Sequence, residues 1–185
     1  MINYKLIDDS INYYDTKGFR RVESPWTVTE AVSNITKPPD KKQEFSLPYK
    51  NKVLVASGEQ SFLYLYLKGF LPKGRFQTVT PCFRDDLFDF LHSKYFIKNE
   101  LIDTGDTSDE NLLNVVNTSL GFFRLYLPES KIVPTSDGFD IEWEGIELGS
   151  YGVRTCDFLK WVYGTGVAEP RLSSLIELRK NGGNK

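Results

Sequence analysis

Between Phe76 and Tyr163 the sequence carries a succession of short apolar runs set apart by turn residues, and this feature constrains the fold more than any other. Phe76 to Arg84 and Tyr95 to Asp103 read as two strands flanking a long hairpin loop, Asp85 to Lys94. Lys131 to Pro134, Phe139 to Trp143, Gly145 to Val153 and Phe158 to Tyr163 are further strand candidates. Strands joined by hairpins, with helices before, between and after them, imply an α+β fold on a mostly antiparallel sheet flanked by helices.

The helices carry their own signals. Lys5 to Lys17 reads as a first helix, ended by Gly18, and Phe19 to Ser24 as a strand stopped by Pro25, since proline cannot donate to a ladder. Thr27 to Ile35 is expected to form a second helix. Val53 to Ala56 is a short apolar strand, after which Ser57 caps a helix running to about Phe70 with Glu59 in its first turn. Phe62, Leu63, Tyr66, Leu67 and Phe70 recur at helical spacing and face the core. Thr107 to Glu110 matches a capping box, and the following helix carries Leu112, Leu113, Val116, Leu120 and Phe123 on one side. A final helix has Pro170 in its first turn, where proline is tolerated. Lys37 to Lys50, rich in Pro and Lys, reads as an exposed loop and not a domain boundary. With no internal repeat, residues 1–185 are expected to form a single domain.

Composition narrows the function classes. A chain that is 40% hydrophobic can bury a real core. A net charge of −2 argues against a dedicated RNA-binding module with a broad basic face. Cys82 and Cys156 have no metal-ligand spacing and make no disulfide framework. The start lacks a charged-then-apolar signal pattern, and no apolar run approaches the roughly 20 residues that span a bilayer. The expectation is a soluble, cytoplasmic protein.

Chemistry-bearing residues are scattered along the chain. Arg84 and Arg171 each sit at the edge of an apolar segment, where a guanidinium needs an anion: a carboxylate such as Asp85, Asp86 or Glu169, or a phosphate. Tyr163 to Leu172 reads as a glycine-bearing turn into a helix, where backbone amides favour anions. Glu147 and Ser150 lie three apart in a strand-like run, so they converge on one ligand only if Gly149 introduces a bulge or bend. Their hard oxygens suit Mg²⁺. His92, the single histidine, falls in the hairpin loop, and Phe96 follows back on the strand, able either to stack on a base or to pack in the core.

These features occur in one order, and the chain resembles the catalytic core of the class II aminoacyl-tRNA synthetases over roughly residues 5 to 180. Motif 1 (about 10–26) fits Gly18 to Pro25, with Pro25 the defining residue. Motif 2 (about 76–103) fits Phe83-Arg84-Asp85-Asp86, a loop, and His92-Ser93-Lys94-Tyr95-Phe96. Motif 3 (about 158–180) fits Gly164 to Leu172. Ile146 to Ser150 looks like the metal- and ATP-binding strand, closest to the seryl-type version, and Ser57-Gly58-Glu59 resembles the Thr-x-Glu loop. Asp86 stands where the motif 2 glutamate is usual, and Ala168-Glu169-Pro170 precedes the motif 3 arginine where many members carry a third glycine and an acidic residue.

The resemblance implies an adenylate-forming ligase. Arg84 would hold the α-phosphate of ATP and the substrate carboxylate, with Asp86 nearby in the ATP site. Arg171 and His92 would contact the γ-phosphate, Phe96 would stack on adenine, and Glu147 and Ser150 would bind Mg²⁺. Glu59 would receive the ammonium of an amino acid, with Ser150 also on the substrate side. The acceptor is a tRNA, a carrier protein or a small amine. The family pattern further implies a homodimer through motif 1, with Phe19, Val22 and Pro25 at the interface. The stretch matches no anticodon-binding domain, which puts ordinary tRNA charging in question. The alternative is an inactive paralogue acting as a regulatory or accessory subunit.

Overall fold

The first helix, α1 (Tyr4–Asp15), starts at Asn3, whose side chain accepts from the Lys5 and Leu6 amides. The computed structural model describes residues 1–38, 45–47, 51–85 and 93–182. A turn through Gly18 leads into β1 (Arg20–Arg21), a short edge strand. Phe19, expected at a subunit interface, is instead buried inside this chain, edge-on to Tyr14. An aromatic ring with no exposed surface cannot serve as an interface residue.

The second helix begins later than its spacing suggests. Thr27 to Thr29 form a strand, β2 (Thr27–Thr29), and only Glu30 to Ser33 are helical, as α2 (Glu30–Ser33). Three consecutive β-branched residues favour the pleated conformation, and the strand finds a partner far along the chain. That partner is β4 (Lys52–Leu54), which also pairs with β3 (Ser46–Leu47), giving a three-stranded sheet in the order β2-β4-β3. Ser57 then caps α3 (Gly58–Leu67) by accepting from the Glu59 amide.

The main sheet is assembled from β1, β5 (Arg75–Phe83), β6 (Tyr95–Asp103), β7 (Lys131–Thr135), β8 (Gly138–Trp143), β9 (Ile146–Cys156) and β10 (Leu159–Glu169). Its order is β1-β5-β6-β10-β9-β8-β7, and every pairing is antiparallel except β1 with β5. Between β6 and β7 runs α4 (Asp109–Arg124), capped by Ser108 one residue after the expected Thr107. The chain closes on α5 (Arg171–Gly182).

Two cores sandwich the sheet. On one face α1, α4 and α5 bury Leu6, Tyr14, Val116, Phe123 and Leu175 against Leu101, Tyr151 and Val162. On the other, α3 and the small sheet bury Phe62, Leu63, Val28 and Val53 against Phe76, Ile102 and Trp161. Phe62 and Leu63 are wholly inaccessible. Burying each stabilises the fold by about 1.5–3 kcal/mol.

One departure from regularity sets up everything that follows. β9 and β10 pair from Leu159–Cys156 to Gly164–Tyr151 and no further. Beyond that point β9 stays with β8, and β10 stays with β6. The sheet therefore forks. The segment expected to be a turn after Tyr163 is in fact the far half of β10, running as strand to Glu169.

Candidate active site

The two prongs of the fork each carry a bulge. On β9, Ile141 faces Gly149 and Glu142 faces Glu147, so Leu148 is an extra residue. An extra residue reverses the alternation of a strand. Glu147 and Ser150, three apart, consequently line the same cavity, while Leu148 is buried in the core. The bulge that the sequence required is present, centred one residue before Gly149. Gly149 has its own reason: a Cβ there would sit 2.8 Å from Cβ of Thr165 on the facing prong. On β10, Thr165 faces Glu100 and Val167 faces Asn99, leaving Gly166 as the extra residue. A Cβ on Gly166 would meet the Asn99 carbonyl at 2.9 Å and the Tyr14 ring at 3.0 Å.

The fork opens into two adjoining cavities, of 390 and 200 Å³. Arg84, Lys98, Glu147 and Thr165 lie on the walls of both. Arg84 leaves the end of β5, donates from Nε to the Ala56 carbonyl at 3.0 Å, and lies with its guanidinium carbon 5.1 Å from the Phe96 ring centroid. Among the described residues no carboxylate pairs with it: Asp85 is taken by Lys94 at 2.9 Å, and Glu169 accepts from the Asn3 and Ser173 amides. A guanidinium with spare donors at the junction of two cavities is suited to an anion from outside.

The smaller cavity adds Phe96, Ser93, Pro170 and Arg171. Arg171 Nη1 lies 3.4 Å from Glu147 Oε1 and 3.2 Å from the Glu147 carbonyl, closing the mouth of the fork. Glu147 is half-exposed, so this pair is weakly held and exchangeable.

The larger cavity ends at the N-terminus of α3. There Glu59 is buried, with Trp161 Nε1 donating to Oε1 at 2.6 Å and Arg154 Nη1 paired to Oε2. Both oxygens of the carboxylate expected to receive an ammonium thus already have a protein partner. Burial pushes this carboxyl up, against the pull of Arg154 and the Trp161 hydrogen bond. Beside it lies Glu100, bonded by the Ser57 hydroxyl at 2.6 Å, the Gly58 amide, and Lys98 Nζ at 3.0 Å. Burial alone would raise Glu100, but Lys98, Ser57 and the Gly58 amide outweigh it and hold the group below its ordinary value. Cys82, 3.9 Å from Glu100, is pushed up to about 12 by burial and that neighbouring carboxylate. A thiol so disfavoured from ionising is no nucleophile at neutral pH.

The structure therefore gathers Glu59, Arg84, Phe96, Glu147, Ser150 and Arg171 around one forked cleft. Asp86 and His92 lie outside the described residues. Sequence reasoning overlooked Lys98, Glu100, Arg154 and Thr165. Lys98 and Glu100 were accessible to it, since they follow Phe96 at every second position along one strand face. Arg154 was not: its partner is 95 residues away.

Comparison with known proteins bears on the fold. No family model and no curated protein sequence matches this chain. Solved structures do. Pyrrolysyl-tRNA synthetase from Desulfitobacterium hafniense superposes with a TM-score of 0.75 at 20% identity, covering 94% of this chain and 69% of that one. Seryl-tRNA synthetase from Pyrococcus horikoshii, solved complexed with ATP, gives 0.69 at 17% identity over 92% of this chain. Cytoplasmic serine-tRNA ligase from Naegleria fowleri, solved with AMP, gives 0.70 at 16% identity over 91%. The chain spans 48% and 46% of those two seryl proteins.

Proposed function

We propose that this chain, whose fold is that of the class II aminoacyl-tRNA synthetase catalytic domains, activates an amino acid or similar carboxylate with ATP as an acyl-adenylate. The observation that carries this reading is Arg84, a guanidinium without a carboxylate partner among the described residues, set where two cavities meet. The smaller cavity, with Phe96 and Arg171, is the nucleotide side. The larger, ending at Glu59, is the substrate side.

A carboxylate oxygen of the substrate attacks the α-phosphorus of ATP. The new P–O bond forms as the bond from that phosphorus to the bridging oxygen breaks, and pyrophosphate leaves with the electron pair. The protein's part is positioning and neutralising charge. Arg84 bridges the substrate carboxylate and the α-phosphate, a task for a planar fork of donors that lysine lacks. Phe96 stacks on adenine. Arg171 exchanges its weak hold on Glu147 for the outer phosphates, which frees Glu147 at the same moment. The family resemblance would add Asp86 and His92, which lie outside the described residues, to the nucleotide contacts.

The residues present fit Mg²⁺ in a limited way. Among the described residues no group of three or more acidic, histidine or cysteine side chains converges, but Glu147 and Ser150 offer one carboxylate and one hydroxyl on the same wall. Mg²⁺ commonly takes one or two carboxylates and completes its shell with phosphate oxygens and water. Bound there, the ion would neutralise phosphate charge.

The acceptor in this reading is a tRNA, a carrier protein or a small amine. Among the described residues no helix is long and apolar enough to cross a membrane. Pyrophosphate exchange into ATP, run with each amino acid in turn, tests the proposal. Exchange dependent on one or a few amino acids is the expected result. Absence of exchange with all of them, with ATP binding intact, would favour a regulatory or accessory role.

A further inference from the structure

The inner end of the larger cavity holds an arginine that the activation chemistry does not use. Arg154 projects from β9 beyond the fork, and its side chain is 39% exposed. One nitrogen, Nη1, is paired with Glu59. The guanidinium carbon lies 4.1 Å from the centroid of the Tyr163 ring. An acid on one edge and a ring on one face fix the plane of the group. Glu59 is fixed in turn by Trp161 at 2.6 Å. The opposite edge, Nε and Nη2, meets no acceptor among the described residues, and Arg154 lines the cavity. Two parallel N–H donors on a locked planar group match the two oxygens of a carboxylate.

Charge on the cavity wall points the same way. Glu59 has Arg154, Glu100 has Lys98 and Glu147 has Arg171. A substrate that brings an ammonium into this cavity therefore meets, among the described residues, no acid without a protein cation on it, and Glu147, once Arg171 turns to the phosphates, faces the metal of the proposed reaction. Such a substrate must bring its own counter-charge, because an unbalanced charge in a partly desolvated pocket is costly. Arg84 is committed to the carboxylate being activated, so the extra anion belongs elsewhere on the substrate.

Resting on the reading of this cleft as an adenylation site, we propose that the substrate is an acidic amino acid, and that the free edge of Arg154 binds its side-chain carboxylate. Arg154 is the specificity determinant, and Glu59 and Tyr163 are the positioning residues that hold it.

The test is calorimetric titration of the whole chain with aspartate and glutamate, against asparagine, glutamine and serine, alongside pyrophosphate exchange with the same set. Acidic amino acids should bind and exchange with a preference over their amides of about 100-fold, as expected for a desolvated charge pair. Arg154→Lys keeps a cation on Glu59 but loses the fork, and should erase most of that preference. The double variant Arg154→Met with Glu59→Gln removes both charges together and should erase it wholly. Retained ATP binding shows that each variant is folded. Exchange with a neutral amino acid, or a preference unchanged by Arg154→Lys, overturns the assignment while leaving adenylation intact. Arg154-dependent binding of an acidic amino acid without exchange overturns the adenylation reading and keeps the binding site. Neither binding nor exchange overturns both.

Discussion

Arg171 already holds Glu147 across the mouth of the cleft, so a nucleotide must compete for it with a protein carboxylate. Arg171→Ala should weaken ATP binding by about 2–4 kcal/mol, the range for losing a desolvated charged contact. Calorimetric titration with ATP and Mg²⁺ measures this, and equal affinity in the two proteins would remove Arg171 from the nucleotide site. The two buried glutamates of the larger cavity answer to pH in opposite senses. Glu59 is raised by burial, so the stability it contributes is complete below its ordinary value of 4.5 and is lost as pH rises through the raised value. Glu100 is lowered, so its contribution is present above 4.5 and is lost as pH falls through the lowered value. Glu100→Gln should therefore flatten the loss of stability on the acid side of 4.5, whereas Glu59→Gln should remove a loss on the alkaline side. Urea melts between about pH 3 and 7 read both slopes directly. A common effect of the two substitutions on one side of 4.5 would contradict the geometry.

At the scale of elements, the fork depends on close approach between its prongs. Gly149→Ala would set a methyl carbon 2.8 Å from Cβ of Thr165, a contact with no flexible atom to give way. It should destabilise the chain by about 1–3 kcal/mol, the usual cost of overpacking, and depress exchange beyond what stability explains. Thermal melts and exchange rates on the same preparation separate the two effects. Most elements were legible in the sequence because their signals are local. Ser57 caps α3, and the apolar runs Phe76 to Arg84 and Tyr95 to Asp103 mark β5 and β6, whereas the cap expected at Thr107 falls at Ser108 and the strand expected to run to Pro25 ends at Arg21. Leu67, Phe70 and Leu113, expected to face the core, are exposed, and two other failures have a shared cause. Thr27 to Thr29 became a strand because a partner arrives from residues 52–54, and residues 164–169 became a strand because β6 pairs with them. Pairing partners decide such segments, and pairing is not written in either segment alone. The same holds in the site. The need for a bulge between Glu147 and Ser150 was readable from odd spacing, but the contact of Glu59 with Arg154 and Trp161 joins α3 to β9 and β10 and leaves no local trace.

For the whole molecule, we propose a two-fold dimer through the region after β1. Phe19 is ruled out by its burial, and Trp26 next to Pro25, 59% exposed, is the large exposed aromatic side chain that adjoins this region. Light scattering at high micromolar concentration should report twice 21.2 kDa, and a species of 21.2 kDa alone would count against it. A net charge of −2 makes a second prediction about this 185-residue chain. Binding to total tRNA at about 150 mM salt should be no tighter than about 10⁻⁵ M, the level of a few phosphate contacts. Filter binding that finds sub-micromolar, sequence-selective affinity would overturn it. The fork has one more consequence, for inheritance. The β7–β8–β9 meander, residues 131–156, carries Glu147, Ser150 and Arg154, whereas β5, β6 and β10 carry Arg84, Lys98, Glu100 and Thr165. The two banks of the cleft are separate cassettes. A crossover near Ser130 and another near Phe158 would trade one bank as a block and leave the other standing. Such an exchange moves Arg154 together with the Glu147 and Ser150 pair, while Arg84 and Arg171, and the Glu59 and Tyr163 that orient Arg154, stay in place.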